Sequence, residues 1–374
     1  MLRLYRLKNY NFRLVLWLLI ISITGIALVG SAQESLQNRQ IFGVALGITA
    51  MIIVSLIDYS WVLNFYWLIY TFNIVLLLFV RLAGKTTGGA TRWLNIFGFQ
   101  FQPTEPAKIM LILFFARFLM DHENDLNTIK TIFMSLVLLA LPLTLVLIQP
   151  DLKNTITLIA VFCLLIYVAG LSYKIIGGTF LVVIPLLIIY LVLVTQTDLP
   201  IIKDYQKDRV MAFFYPDDEE YEQDNTQQEN SIIAIGSGQL KGKGLKNNEV
   251  SANNGNFVSQ IQTDFIFAVA GEELGFIGGA ALIILEFLIS IECILTSRKA
   301  KDLSGTLICC GVGSVIALQS FINICVATGL FPNTGTPLPF VSYGLTSIVS
   351  LYIGVGFILN VGLQNRTYPG GEKA

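Results

Sequence analysis

The chain has 374 residues, 54% of them hydrophobic and 13% charged, with a mean hydropathy of +0.69. A soluble domain carries about 25% charged residues, so this composition excludes one and describes an integral membrane protein. The 24 Lys and Arg balance 25 Asp and Glu to a net charge of -1, which leaves no basic field and rules out nucleic acid as a main partner. A lone histidine, His122, excludes a His-rich metal centre and makes any Ser/His/Asp triad depend on one ring. The five cysteines lie in apolar stretches without CxxC spacing and read as small core residues, not thiolate ligands or disulfides.

Ten apolar runs near the ~20 residues needed to cross a bilayer follow in chain order. They lie at 14–33, 41–57, 61–80, 106–120, 132–148, 155–171, 175–195, 276–296, 303–328 and 341–363. The basic stretch Met1–Arg13 before the first run resembles the start of a signal peptide. The run itself exceeds the ~7–15 residues of a signal core, so it is read as an anchor. No internal repeat is visible. The expected fold is one all-α polytopic membrane domain over residues 1–374, with about ten transmembrane helices and a large extracellular loop, 197–264, between spans seven and eight.

Orientation follows from Lys and Arg in short loops. With the N-terminus inside, inner segments hold twelve of the 24 cations and outer segments the other twelve. Six of the outer ones fall in the loop 197–264, which exceeds the ~60 residues over which the rule counts. Both termini are therefore expected in the cytoplasm. Four segments rich in Gly, Pro and charge then share the outer face: 84–105, 149–154, 197–264 and 329–343. Loops positioned by a rigid bundle usually carry function, so an extracytoplasmic site is expected there.

The first segment, GKTTGGATRWLNIFGFQFQPTEPAK, holds Arg92, Glu105 and Lys108. Glu105 and Lys108 share a helix face and form either a local ion pair or, with Arg92, a cationic grip on an anionic lipid headgroup oriented by Glu105. In the second, QPDLKNT, Asp151 is either a helix N-cap or a polar contact to the same headgroup, with Lys153 beside it. The third opens with Arg209 among aromatic residues, passes seven acids between Asp217 and Glu229 that read as a solvated turn, and continues to SGQLKGKGLK. Those glycines and lysines form a weak phosphate-cradle pattern. It ends at Asp264, in TDFIFAVAGEELGFIGG, which is either an N-cap or a carboxylate poised at the hydrocarbon rim to accept a proton. Glu272 and Glu273 fall where a shallow re-entrant helix would meet span eight, and Glu286 and Glu292 lie deeper in that span. The fourth segment, GLFPNTGTPLPFVSYGLTS, has too much proline and glycine for a helix and reads as a rigid loop dipping into a cavity; Ser342 either binds ligand there or packs.

Taken together, RW with QPTEPAK, QPDL, QKDR with AIGSG and KGKG, TDFIFAVAGEELGFIGG and TGTPLPFVSYG resemble, in order and spacing, the shape, elongation, division and sporulation family of RodA and FtsW. The short arm before span one and the short tail resemble the RodA branch. The chain departs from the pattern at Lys153, at GLTS and at SQIQTDF. The resemblance implies a peptidoglycan glycosyltransferase that polymerises lipid II during elongation, with Asp264 matching the family's essential aspartate. It further implies a divalent cation, Mg or Mn, a class B penicillin-binding protein transpeptidase as partner, and other membrane proteins of an elongation complex. Arg92, Lys108, Lys153 and Arg209 are the candidate cations for the diphosphate. A lipid II flippase, in which Glu286 would matter more than Asp264, and a non-catalytic scaffold are the competing readings.

Overall fold

The computed structural model describes residues 10–87, 90–96, 99–149, 151–173, 177, 211, 222–248, 250–251 and 260–364. Within them the order is α1 (Phe12–Ala32), α2 (Glu34–Ser55), α3 (Tyr59–Leu63), α4 (Tyr66–Ala83), β1 (Lys85–Thr87), β2 (Ala90–Ile96), β3 (Phe99–Phe101), α5 (Thr104–Asp121), α6 (Ile129–Ile148) and α7 (Leu152–Val168). Then come α8 (Glu222–Ser237), α9 (Ile266–Thr296), α10 (Leu303–Ala327) and α11 (Leu345–Leu363). Seven of the described helices, α1, α2, α4, α6, α9, α10 and α11, are long and apolar enough to cross a membrane, and α7 is a shorter apolar helix. The protein is thus an all-α, multi-pass membrane fold. Nine of the ten expected spans correspond to helices, and the seventh, 175–195, lies outside the described residues apart from residue 177.

Burial orders the bundle. The apolar windows of α10 and α11 are 72% and 78% buried, whereas those of α4 and α6 are 22% and 28% buried, so the former are central and the latter face lipid. Helix α5 is also central, with nearly every residue from Ala107 to Leu119 enclosed. Where apolar solvent gives helices no reason to associate, small residues let backbones approach and gain dispersion contact. Helices α2 and α11 meet this way: a Cβ on Gly47 would lie 2.4 Å from Tyr352 Cδ2, and one on Gly356 would lie 2.8 Å from the Met51 carbonyl. The Tyr352 hydroxyl then reaches Ser22 of α1 at 2.6 Å. Pro142 inside α6 cannot donate to the Leu138 carbonyl, and the Tyr70 hydroxyl of α4 does so instead, at 2.8 Å.

Helix α9 is broken at Gly275, whose φ of 67° and ψ of -167° lie outside helical space. The ladder lost there is replaced from the 239–244 turn. Phe276 N donates to Gln239 O at 2.8 Å and Ile277 N to Leu240 O at 3.2 Å, while the freed carbonyls of Glu272 and Glu273 accept from Lys243 N and Gly244 N at 3.0 and 2.9 Å. These bonds pair the backbone groups that the break frees, as a low-dielectric setting requires. A short helix, 266–274, therefore meets the span proper, as expected for a re-entrant start. Gly242 of the KGKG stretch serves this close approach, since a Cβ on it would fall 2.2 Å from Glu273 O and one on Gly275 would fall 2.2 Å from Gly242 N. Lys243 pairs with the fully buried Glu272 at 2.6 Å. The phosphate-cradle reading of that stretch is corrected accordingly.

Two other expectations change. The acidic stretch 217–229 is not a turn throughout, because residues 222–229 form the first half of α8. Gln228 and Ser231 on that helix donate to the Val326 and Ala327 carbonyls, at 2.7 and 2.9 Å, and so satisfy the open end of α10. Cys163 is exposed on α7, while the other four cysteines are buried as expected.

Candidate functional site

The loops joining α4 to α5, α6 to α7 and α10 to α11, with the turn before α9, meet at one end of the bundle. The first is a three-stranded antiparallel sheet, β1-β2-β3, with Leu94 opposite Phe101. It places Arg92 so that Nε donates to Gln149 O at 3.2 Å, and the Gln149 amide in turn donates to Leu77 O at 2.9 Å. The Thr346 hydroxyl joins the same corner to α11 through Gln102 N and Gln100 O, both at 3.3 Å. Of the four segments that the sequence assigns to one face, 84–105, 149–154 and 329–343 meet here in their described residues with the end of the third, 260–264; most of the third lies outside the described residues.

Glu105 and Lys108 form an ion pair with both carboxylate oxygens 3.0 Å from Nζ, and each residue is 2% exposed. Asp151 is fully buried and caps α7, accepting from Asn154 N at 3.4 Å, Asn154 Nδ2 at 2.8 Å and Gln102 Nε2 at 3.3 Å. The Ser342 hydroxyl donates to Thr263 O at 2.5 Å and accepts from Leu338 N at 2.8 Å. These four side chains are bonded to protein groups inside the bundle, so they shape the site. Arg209 lies outside the described residues. Lys153 is partly exposed on the first turn of α7 and donates to the Gly335 carbonyl.

Asp264 differs from all of these. It does not cap α9, whose N-cap is Phe265 with no side-chain bond. Its backbone is stapled on both sides: Asp264 N donates to Gln260 O at 3.1 Å, Tyr343 N donates to Gln262 O at 2.8 Å, and Asn323 Nδ2 donates to Asp264 O at 2.8 Å. The same Asn323 amide reaches Thr336 O at 2.6 Å, tying the Asp264 turn to the proline-rich loop. Gly335, at φ 68°, sits so close that a Cβ there would be 2.9 Å from Asp264 Oδ2. Among the described residues nothing hydrogen-bonds the partly exposed carboxylate. A rigidly held backbone carrying an unspent carboxylate is suited to take a proton from a bound hydroxyl.

Asn323 is not singled out by the sequence, and Gly335 reads there only as one of the glycines that keep the fourth segment from forming a helix. Asn323 lies in a run that reads as membrane core, and its only signal is an amide in an apolar helix. His122 follows α5 at the other end of the bundle from Asp264, with Nδ1 2.8 Å from Phe118 O, so it belongs to no triad there. Glu286, the residue a transporter reading favours, is sealed between α9 and α10 with Ser320 at 3.1 Å. Glu292 meets Asn11 at 3.0 Å and Arg13 at 3.9 Å near the start of α1.

Fold and site define a multi-pass membrane protein whose loops close around one carboxylate at the end of the bundle. The FtsW/RodA/SpoVE family model, described as cell cycle protein, matches residues 6–367. Relatives include the peptidoglycan glycosyltransferase MrdB of Escherichia coli K12, 31% identical over 93% of this chain and 91% of that protein. The probable peptidoglycan glycosyltransferase FtsW of Geobacter sp. strain M18 is 30% identical over 96% of this chain and 99% of that protein. A solved structure described as coordinating polymerization and crosslinking in a peptidoglycan synthase complex superposes with TM-score 0.77 at 25% identity, over 94% of this chain and 97% of that one. The rod shape determining protein RodA of Thermus thermophilus shares the fold, with TM-score 0.69 at 24% identity over 94% of this chain and 96% of that one. The chain belongs to the FtsW/RodA/SpoVE family and is a peptidoglycan glycosyltransferase.

Proposed function

We propose that this enzyme polymerises lipid II into glycan strands at the outer surface of the cytoplasmic membrane, with Asp264 as the general base. The observation that carries this reading is the contrast between Asp264, with an unspent carboxylate on a stapled turn, and Glu105, Asp151 and Glu272, whose carboxylates are all engaged. In the reaction the 4-hydroxyl oxygen of the acceptor GlcNAc attacks the anomeric carbon of the donor MurNAc. The new C–O bond forms as the bond from that carbon to the lipid diphosphate oxygen breaks, inverting the centre. The hydroxyl proton passes to Asp264 and the electron pair leaves on the diphosphate. Diphosphate is a good leaving group, so one carboxylate suffices where ordinary glycoside hydrolysis needs two.

Positive charge for the departing diphosphate comes from Arg92 and Arg209. Lys108 and Lys153 were expected from the sequence to join them; Lys108 is buried against Glu105, and we assign the Lys153 ammonium, which donates to the Gly335 carbonyl, to the site's architecture instead. Among the described residues no group of three His, Cys, Asp or Glu side chains could cage a metal. The Mg or Mn ion implied by the resemblance is assigned here to the diphosphate of the substrate, and no protein step is routed through it.

The cellular role we assign is elongation, on the resemblance of the sequence to the RodA branch of the family. The partner is a class B penicillin-binding protein within an elongation complex, as polymerization and crosslinking are paired in the synthase complex that shares this fold. Purified Asp264→Asn, folded as judged by thermal unfolding, should make no polymer from lipid II with Mg or Mn present. Polymer formed at the wild-type rate would remove the base assignment. Depletion in cells should round them; filaments with blocked septa would reassign the protein to division.

A further inference from the structure

The proline-rich loop touches Asp264 through a glycine, the residue least able to hold its own conformation. Gly335 adopts φ 68°, and its α-carbon faces Asp264 Oδ2 closely enough that no side chain fits between them. A turn of this kind keeps its place only if something outside it holds it. Asn323 secures the neighbouring Thr336 carbonyl at 2.6 Å, and Asn333 Oδ1 accepts from Gly335 N at 3.2 Å from within the turn. The carbonyl of Gly335 itself is held, among the described residues, by Lys153 Nζ alone. Lys153 is set for this reach by its own helix: Asp151 caps α7 just before it, and Thr157 Oγ1 donates to its carbonyl at 2.8 Å one turn on.

We propose that Lys153 is a positioning residue for the transfer: by gripping the Gly335 carbonyl, its ammonium seats the 333–336 turn against the Asp264 carboxylate and fixes that carboxylate's direction. An ammonium on a carbonyl is a charge-assisted bond, stronger than a neutral one, and it joins α7 to a loop that is otherwise tied into the site by Asn323 at Thr336 O, by the Ser342 hydroxyl at Thr263 O and by Tyr343 N at Gln262 O. The role rests on the assignment of Asp264 as base. It differs from a diphosphate contact, because a residue that aligns the base acts in the transition state, whereas one that grips substrate acts already in the ground state.

The test compares full-length Lys153→Met, which keeps the stem and loses the donor, with Lys153→Arg, which keeps a donor, and with Asp264→Asn. Each is purified and assayed on lipid II for kcat and KM, with thermal unfolding alongside. Lys153→Met is expected to keep its fold and KM and to lose about ten- to a hundredfold in kcat, the range that sub-ångström misplacement produces. Lys153→Arg should recover most of that loss. A Met variant with raised KM and unchanged kcat would make Lys153 a substrate ligand and overturn the proposal, as would wild-type kinetics. Loss of the fold in Lys153→Met would overturn it too, since the contact would then serve the bundle. An active Asp264→Asn enzyme would show instead that the base assignment itself is wrong, whatever Lys153 does.

Discussion

Replacing Gly335 with alanine perturbs the site through a single methyl group. The added Cβ would lie 2.9 Å from Asp264 Oδ2 and 3.6 Å from Cγ. A comfortable contact needs about 3.5 Å, so the carboxylate or the turn must shift by about 0.6 Å. Holding alanine at φ 68° costs a further ~1–2 kcal/mol, a fraction of the ~5–15 kcal/mol that keeps a domain folded. Gly335→Ala should therefore fold, with slightly lowered thermal stability. Its lipid II polymerisation should fall by about tenfold or more, given that a 1 Å displacement costs ~100-fold. Gly170 provides the control: it has φ 101°, follows α7, and has nothing within 4 Å of the place a methyl group would take. Gly170→Ala carries a backbone penalty of the same kind without the collision and should retain polymerisation. The assay is glycan product from purified enzyme and labelled lipid II, resolved by length. Equal activity in the two alanine variants would refute the claim that Gly335 is glycine because the base is pressed against it.

Glu105→Gln should leave the Lys108 ammonium buried without its counter-charge and destabilise the protein by about 3–5 kcal/mol, while the double change Glu105→Gln, Lys108→Met recovers much of that loss in thermal melts. A single variant as stable as wild type would mean that the pair is not the buried element described. At the far end of the bundle, burial pushes the Asp58 carboxyl up, but bonds from Gln364 and Ser60 and the Lys301 ammonium outweigh it and hold the group below the usual carboxylate range. A folded-state value below the unfolded one means stability that is fully present above pH ~4 and lost as pH falls through the folded value. Asp58→Asn should flatten the acid side of a melting-temperature profile, and an unchanged profile would count against this contact.

The spans were legible because bilayer thickness writes itself into run length: α1, α6, α10 and α11 fall within a few residues of the apolar stretches that announce them. Grouping of the α4–α5, α6–α7 and α10–α11 loops with the turn before α9 was legible too, since parity alone assigns them to one end. The expected all-α membrane domain holds, and the sheet at residues 85–101 is a local insertion in one of its loops. Ambiguity remained wherever one residue type serves two purposes. An aspartate before a helix looks the same whether it caps or reacts: Asp151 caps α7, and Asp264, with Phe265 between it and α9, caps nothing. Lysines among glycines look the same whether they cradle phosphate or, like Lys243, neutralise a buried Glu272.

The sequence by itself determined that the chain lives in a membrane, how many times its apolar runs can cross, and which of the described loops gather together, because these depend on composition and on the count of crossings. Only the tertiary structure decided which of the gathered charges are spent. Glu105 with Lys108, Asp151 with Asn154, and Lys153 with Gly335 find partners far or near in the chain, while the Asp264 carboxylate is left open. Hydrogen bonds and ion pairs are settled by distances of a few ångströms between elements, and linear spacing carries no record of those distances.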